Sequence, residues 1–85
     1  MKKITIYSTT YCPYCHRAKE LLKQLALEYA EIDLTDSTEL REQLTEKHNW
    51  YTVPMIVIGE EFIGGFDELN RLHQAGKLVD KVFQD

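Results

Sequence analysis

KITIYSTTYCPYCHRAKELL, residues 3–22, contains both cysteines of the 85-residue chain, Cys12 and Cys15. Residues 3–8 alternate apolar and polar side chains and are rich in β-branched residues, which predicts a strand. From Pro13 onward, alanine and leucine recur at helical spacing, which predicts a helix. Proline suits the first position of a helix, because the N–H that it lacks would have no partner there. The cysteines are therefore expected where a strand leads into a helix.

The middle of the chain repeats this alternation of strand and helix. Residues 28–34 predict a second strand. Asp36, with Glu39 three residues later, predicts the capped start of a second helix. Leu40 and Leu44 give that helix a thin apolar stripe.

The last third of the chain predicts a hairpin and two more helices. Residues 55–59 predict a buried strand that turns into a partner strand over residues 61–63. Residues 66–76 predict a helix that ends at a glycine, and residues 78–84 predict a last short helix. In that helix, Leu78, Val82, Val79 and Phe83 are expected on the core. Elsewhere the expected core residues are Tyr7, Leu21, Leu25, Ile32, Ile56 and Ile58.

The order β-α-β-α-β-β-α-α predicts an α/β fold. Alternating strands and helices in the first half imply parallel strands with right-handed crossovers, and the later hairpin adds antiparallel strands. We therefore expect a four-stranded mixed sheet with helices on both faces, forming one domain over residues 1–85.

Composition narrows the classes of function. Hydrophobic residues make up 44% of the chain, and no apolar run approaches the roughly 20 residues of a membrane span. The first residues alternate in polarity, unlike a signal peptide. We expect a cytoplasmic protein that binds neither membranes nor, with a net charge of −4, nucleic acid.

Charge is unevenly distributed along the sequence. Residues 1–23 carry five basic residues and one acid, whereas residues 28–46 carry seven acids and one arginine. The cysteines lie in the positive third, which favours a thiolate and small anionic partners. Both clusters are also compatible with ordinary solvated surfaces.

Two cysteines with this spacing suit three kinds of site. A structural disulfide between them would close a very short loop and remove little entropy from the unfolded chain. A structural zinc site needs four ligands, and the other candidates are His16, His48 and His73. Redox chemistry fits the spacing and the position between strand and helix best.

In the redox interpretation the two sulfurs have different roles. Cys12 would cap the helix and face the free N–H groups and positive dipole end of its first turn, which stabilise a thiolate. Cys15 would lie one turn further, more buried and close enough to attack a sulfur bonded to Cys12. Cys12 is thus the expected nucleophile and Cys15 the resolving thiol.

Several motifs together resemble the glutaredoxin family across essentially the whole chain. CPYC (12–15) resembles the dithiol motif of that family, and CHRAKELL (15–22) continues in the same manner. TVP (52–54) and GGFDEL (64–69) come next, in the family's order and spacing. The resemblance implies a thioredoxin fold and dithiol–disulfide exchange, with a cis Val53–Pro54 bond.

The resemblance also implies a glutathione site. The backbone of Val53 would pair with the cysteinyl part of glutathione, and the Phe66 and Asp67 N–H groups would bind its γ-glutamyl carboxylate. The Asp67 side chain would bind its ammonium. The implied glutathione-binding residues are Tyr14, Thr52, Val53, Pro54, Gly65, Phe66 and Asp67, with Pro13, Arg17 and Thr9 in support.

The sequence departs from the family at two expected basic positions. Family members commonly have Lys or Arg three residues before the first cysteine, where this chain has Thr9. Many also have a basic residue just before TVP, where this chain has Trp50 and Tyr51. These cations normally meet the glycyl carboxylate of glutathione, and the candidates to replace them are Lys47, His48, Arg17 and Gln43. Trp50 and Tyr51 suit either an aromatic rim for another thiol or a protein, or packing against the second helix.

The resemblance implies three candidate functions. The first is a glutathione-dependent oxidoreductase, acting as a monomer on disulfide-containing or glutathionylated proteins. It would use glutathione as reducing co-substrate, with no tightly bound cofactor or metal. The second is a redoxin reduced by thioredoxin reductase, for example one that feeds ribonucleotide reductase. The third is a [2Fe–2S] protein, which requires a dimer because one chain offers two sulfur ligands; the proline in CPYC is more typical of dithiol enzymes.

Overall fold

The computed structural model describes residues 1–84. Its strands are β1 (Ile4–Ser8), β2 (Ala30–Asp33), β3 (Met55–Ile58) and β4 (Glu61–Gly64), and its helices are α1 (Pro13–Gln24), α2 (Thr38–His48), α3 (Phe66–Gln74) and α4 (Leu78–Phe83). The four strands form one mixed sheet in the order β2-β1-β3-β4. Strands β1 and β2 are parallel, whereas β3 is antiparallel to both β1 and β4.

The sheet separates two apolar clusters. The larger cluster packs α1, α3 and α4 against one face of β1 and β3, with Ile6, Leu22, Ile56 and Leu69 fully buried. The smaller cluster packs α2 against the other face, around Leu44 and Met55. Alternate residues of β1 and β3 point to opposite faces, which explains how these two short strands serve both clusters. The predicted mixed sheet with helices on both faces is confirmed.

Three expectations about the core are wrong. Ile32 is 37% exposed, since β2 is an edge strand with a neighbour on one side only. Val79 and Phe83 are 42% and 56% exposed, since the short α4 turns only Leu78 and Val82 inward. Tyr7 and Leu25 are only partly buried, at the margins of the clusters, but the other three expected core residues are buried.

The start of α2 also differs from the prediction. The helix begins at Thr38 with Ser37 as its N-cap, and no side chain caps it. Asp36 lies outside the helix, so the expected pair of Asp36 and Glu39 does not form. One half of such a cap occurs at α3, where the Glu68 carboxylate accepts a hydrogen bond from the Gly65 N–H at 2.9 Å.

The fold brings three chain segments to one end of the sheet. They are the N-terminus of α1, the loop that leads into β3, and the N-terminus of α3. Within residues 1–84, every helix is too short or too polar to cross a bilayer. The described chain also contains no cluster of three or more metal-ligating side chains.

Candidate active site

Cys12 lies at the N-cap of α1, where the chain leaves its extended conformation and enters the helix. Its Sγ accepts a hydrogen bond from the Cys15 backbone N–H at 3.1 Å. Pro13 occupies the first helical position, as predicted. A main-chain donor and the positive end of the helix dipole both stabilise a negative sulfur more than a neutral one. Cys12 is half-buried, so molecules from solution can reach it.

Cys15 lies one turn further along α1 and is 1% exposed. Burial, and then the hydrogen bond to Cys12, raise the pKa of the Cys15 thiol from 9.0 to about 12. The Thr9 backbone and the Lys19 charge act in the opposite direction but more weakly. Both thiols are free. The geometry therefore assigns the two sulfurs unequal roles: Cys12 faces outward, and Cys15 stays protonated and buried behind it.

The loop before β3 lies directly beside Cys12. The Val53–Pro54 peptide bond is cis, as the resemblance implies. The Cys12 thiol donates a weak hydrogen bond to the Val53 carbonyl oxygen at 3.5 Å. A peptide backbone bound to Val53 would thus hold its cysteine close to the Cys12 sulfur.

A groove of about 280 Å³ runs from Cys12's neighbours to the start of α3. All seven residues expected to bind glutathione lie along it, although the expectation itself came from resemblance. The complete lining is Tyr14, Trp50, Thr52, Val53, Pro54, Gly65, Phe66, Asp67 and Glu68. The Tyr14 and Phe66 rings, both part of this lining, form a tilted pair with their centroids 6.4 Å apart.

The N-terminus of α3 gives the groove a polar end. The first N–H groups of any helix lack intrahelical partners and attract anions. Asp67, in the first turn, is exposed and adds a carboxylate beside them. This helix end thus offers donors for a carboxylate and an acceptor for an ammonium group. Together they are complementary to the two charged groups of an α-amino acid.

Comparison with known proteins agrees with this arrangement. The sequence profile of the glutaredoxin family matches residues 4–63. The chain belongs to the glutaredoxin family. A glutaredoxin from Pseudomonas aeruginosa is 46% identical over 78 residues, which cover 92% of this chain and 93% of that protein.

Solved structures of the family share the fold as well. A crystal structure of a buckwheat glutaredoxin–glutathione complex is 34% identical, with a TM-score of 0.90 over 95% of this chain and 76% of that one. A solution structure of a glutaredoxin from Brucella melitensis is 39% identical, with a TM-score of 0.86 over 100% of this chain and 95% of that one. The fold is thus thioredoxin-like, and the chain is a thiol–disulfide oxidoreductase of the glutaredoxin family.

The two positions where this sequence departs from other glutaredoxins have different surroundings. Thr9 is 4% exposed and its hydroxyl has no partner, so its side chain lies inside the protein and outside the groove. Trp50 lines the groove and also packs edge-on against Phe62 at 5.5 Å. Phe62 in turn stacks on His48 at 4.2 Å. Trp50 therefore lines the groove and packs beside α2 at the same time, while its expected role as a rim for another thiol or a protein stays a prediction.

Arg17 lies outside the groove lining of this glutaredoxin. Its guanidinium group sits 5.2 Å from the centre of the Tyr14 ring, where cation–π attraction holds the two side chains together. Arg17 therefore contacts one residue of the groove lining, Tyr14, and its expected supporting role stays a prediction.

Two features of the site were missed from the sequence. Glu68 lines the groove and caps α3, and the spacing G-x-x-E at residues 65–68 was the available signal. Behind Cys15, the buried Ser8 hydroxyl donates to the Glu31 carboxylate at 2.6 Å, and the Lys19 ammonium binds the same oxygen at 2.9 Å. No local pattern predicts the second cluster, because its members come from three different elements.

Proposed function

We propose that this glutaredoxin is a glutathione-dependent dithiol oxidoreductase that reduces protein disulfides and glutathione mixed disulfides. One observation carries the proposal. The Cys12 sulfur lies at the Val53 backbone, beside a groove that ends at Asp67 on the N-terminus of α3. A thiol whose other end is an amino acid suits both features at once, and the buckwheat relative is a complex with glutathione.

Glutathione would occupy the groove through two of its three residues. The γ-glutamyl carboxylate would accept hydrogen bonds from the Phe66 and Asp67 N–H groups. The γ-glutamyl ammonium would pair with the Asp67 carboxylate. The cysteinyl backbone would pair with Val53, which brings its sulfur to Cys12.

In the first step the Cys12 thiolate attacks one sulfur of a substrate disulfide. A bond forms between Cys12 and that sulfur, the substrate S–S bond breaks, and the other sulfur leaves as a thiolate that takes up a proton. The Cys12 sulfur then carries no negative charge. Two effects that raise the pKa of Cys15, its hydrogen bond to Cys12 and the charge of Cys12, are thereby weakened or lost.

In the second step the Cys15 proton passes to the departing substrate thiolate. The Cys15 sulfur attacks Cys12, the substrate leaves as a thiol, and an internal disulfide remains. Two glutathione thiols then reduce that disulfide and become glutathione disulfide, which balances the electrons. For a glutathione mixed disulfide, a free glutathione can attack the sulfur bonded to Cys12 directly, without Cys15.

Turnover of a glutathionylated peptide by glutathione tests this proposal. The Cys12→Ser variant should lose all catalysis, whereas Asp67→Asn should keep it with a raised KM for glutathione. A charge-assisted hydrogen bond contributes about 1.5–3 kcal/mol, so the KM should rise about 10- to 100-fold. Asp80→Asn, which removes an exposed carboxylate from the first turn of α4, is the matched control. Wild-type rates no faster than the uncatalysed reaction would refute the proposal.

A further inference from the structure

A polar cluster lies behind Cys15, where β1, α1 and β2 meet. It consists of Ser8 at the end of β1, Lys19 on α1 and Glu31 on β2. The Ser8 hydroxyl donates to the Glu31 carboxylate at 2.6 Å, and the Lys19 ammonium binds the same oxygen at 2.9 Å. Ser8 is 1% exposed, on the face of β1 that also carries the core residue Ile6. A hydrogen-bonded network with a buried member fixes the position of the Lys19 ammonium.

The cluster holds a positive charge on the same side of α1 as the resolving thiol. Lys19 follows Cys15 by four residues, so the two side chains are neighbours on one face of the helix. Lysine side chains generally extend their ammonium groups into water. Here Glu31, reaching from β2, holds that group beside the sheet, and only 24% of the Lys19 side chain is exposed.

Lys19 opposes the effects that keep Cys15 protonated. Burial is the largest effect on the pKa of Cys15 and raises it, whereas the Lys19 charge lowers it. The negative charge of Cys12, which also raises this pKa, disappears once Cys12 is bonded to a substrate sulfur. The hydrogen bond to Glu31 raises the pKa of Lys19 above 10.5. Lys19 therefore remains cationic at neutral pH and continues to act on Cys15 after Cys12 has reacted.

We infer that Lys19 is a positioning residue for the resolving step, in which its ammonium stabilises the Cys15 sulfur while that sulfur becomes an anion and attacks Cys12. This inference rests on the dithiol step of the proposed function and extends it. In that step Cys15 loses its proton, a bond forms between Cys15 and Cys12, and the bond from Cys12 to the substrate sulfur breaks. The departing thiolate takes up the proton, and no other oxidant or reductant takes part. Lys19 thus accelerates the route that needs Cys15 and has no effect on direct attack by free glutathione.

The disulfide of thionitrobenzoate separates the two steps, because its coloured thiolate is released twice from one equivalent of reagent. Attack by Cys12 releases the first thiolate, and closure by Cys15 releases the second. This thiolate is a weak base, so the Cys15 proton passes to the buffer. At pH 7, Lys19→Met should slow the second release by about three- to tenfold, as the loss of a partly exposed charge would. The first release should change by less than about twofold.

Two matched variants distinguish the charge of Lys19 from its packing. Lys19→Arg keeps the charge, and its second release should lie within about twofold of the wild-type rate. Lys23→Met removes an exposed charge from the same helix and should leave both releases unchanged. In a Cys15→Ser background, Lys19→Met should turn over a glutathionylated peptide at an unaltered rate, because that route does not use Cys15. Circular dichroism checks that each variant is folded.

Several results would overturn the inference while leaving the proposed function intact. One is a second release in Lys19→Met as fast as in the wild type. Another is a Lys19→Arg variant as slow as Lys19→Met, because packing and not charge would then be responsible. A slower turnover by Lys19→Met in the Cys15→Ser background would also contradict it. If the wild type releases only one thiolate, no internal disulfide closes, and the dithiol step and the inference fail together.

Discussion

The buried Cys15 thiol gives the sharpest quantitative prediction, and Cys12→Ser isolates it as the only thiol of the chain. Burial is the largest effect on the pKa of Cys15, and the substitution leaves it in place. The hydrogen bond to the Cys12 sulfur and the charge of Cys12, which also raise this pKa, are removed. We therefore expect the pKa of Cys15 in this variant to lie above its ordinary 9.0 and below about 12.

These limits set the expected rate of alkylation. At pH 7 a thiol with a pKa of about 12 has roughly a thousandfold less thiolate than one with a pKa of 9.0. Because the thiolate is the reacting species, iodoacetamide should modify folded Cys12→Ser about ten- to a thousandfold more slowly than the same variant unfolded in urea. Steric shielding also slows the reaction, so the rate at one pH does not separate the two causes.

The pH profile separates them. Shielding scales the rate equally at every pH, whereas a raised pKa moves the point at which the rate levels off. The logarithm of the rate should rise with a slope of one through pH 9 and still be rising near pH 10, with circular dichroism checking that the chain stays folded. A plateau at or below pH 9 would show that burial does not raise the pKa of Cys15. The assignment of Cys12 as the nucleophile and Cys15 as the resolving thiol would then lose its basis.

Two further predictions concern stability, and urea denaturation measures both. The hydrogen bond from the Ser8 hydroxyl, and then that from the Lys19 ammonium, lower the pKa of Glu31 below 4.5. These contacts therefore stabilise the folded chain above that pH, and the stabilisation is lost as the pH falls through the pKa of Glu31 in the folded chain. Glu31→Gln should cost about 0.5–1 kcal/mol at pH 7, since the carboxylate is partly exposed, and progressively less below about pH 4; a constant difference would contradict this. Gly64 has φ +122, and a Cβ there would lie 3.0 Å from an α3 side chain, so Gly64→Ala should cost about 2–4 kcal/mol. Gly76 has φ +72 with nothing within 4 Å of such a Cβ, so Gly76→Ala should cost only about 1–2 kcal/mol; equal losses would show that the close contact does not matter.

Much of the fold was predictable because local pattern and global topology agree in this chain. The alternation in residues 3–8 and the helical spacing after Pro13 each determine one element. The two glycines before Phe66 and the leucine pattern after it determine another. Hydrophobic periodicity identifies the apolar face of each element, and the number of periodic segments predicts the number of elements.

Periodicity does not report which strand lies at an edge of the sheet. Ile32 looks like a core residue in the sequence, and it is exposed because β2 has a neighbour on one side only. Likewise, Val79 and Phe83 lie in a helix too short to bury more than one side. These outcomes depend on tertiary packing, which the spacing of residues within one element cannot contain.

The candidate site likewise combines features that local sequence predicts with features that depend on tertiary packing. The N-cap position of Cys12 is set by local sequence, because Pro13 marks the first helical residue. The contact between Cys12 and Val53 joins residues 41 positions apart and was implied by family resemblance alone. The burial of Thr9 was not predictable either, since the three residues before Cys12 have no regular periodicity.

The identity of the attacking sulfur is the central claim, and single-cysteine variants test it most directly. Cys15→Ser and Cys12→Ser are each mixed with glutathione disulfide at pH 7, and mass spectrometry of digested, quenched samples monitors the adduct at each position. We predict that Cys12 in the Cys15→Ser variant acquires glutathione at least about a hundredfold faster than Cys15 does in Cys12→Ser. Equal rates, or a faster reaction at Cys15, would contradict the account.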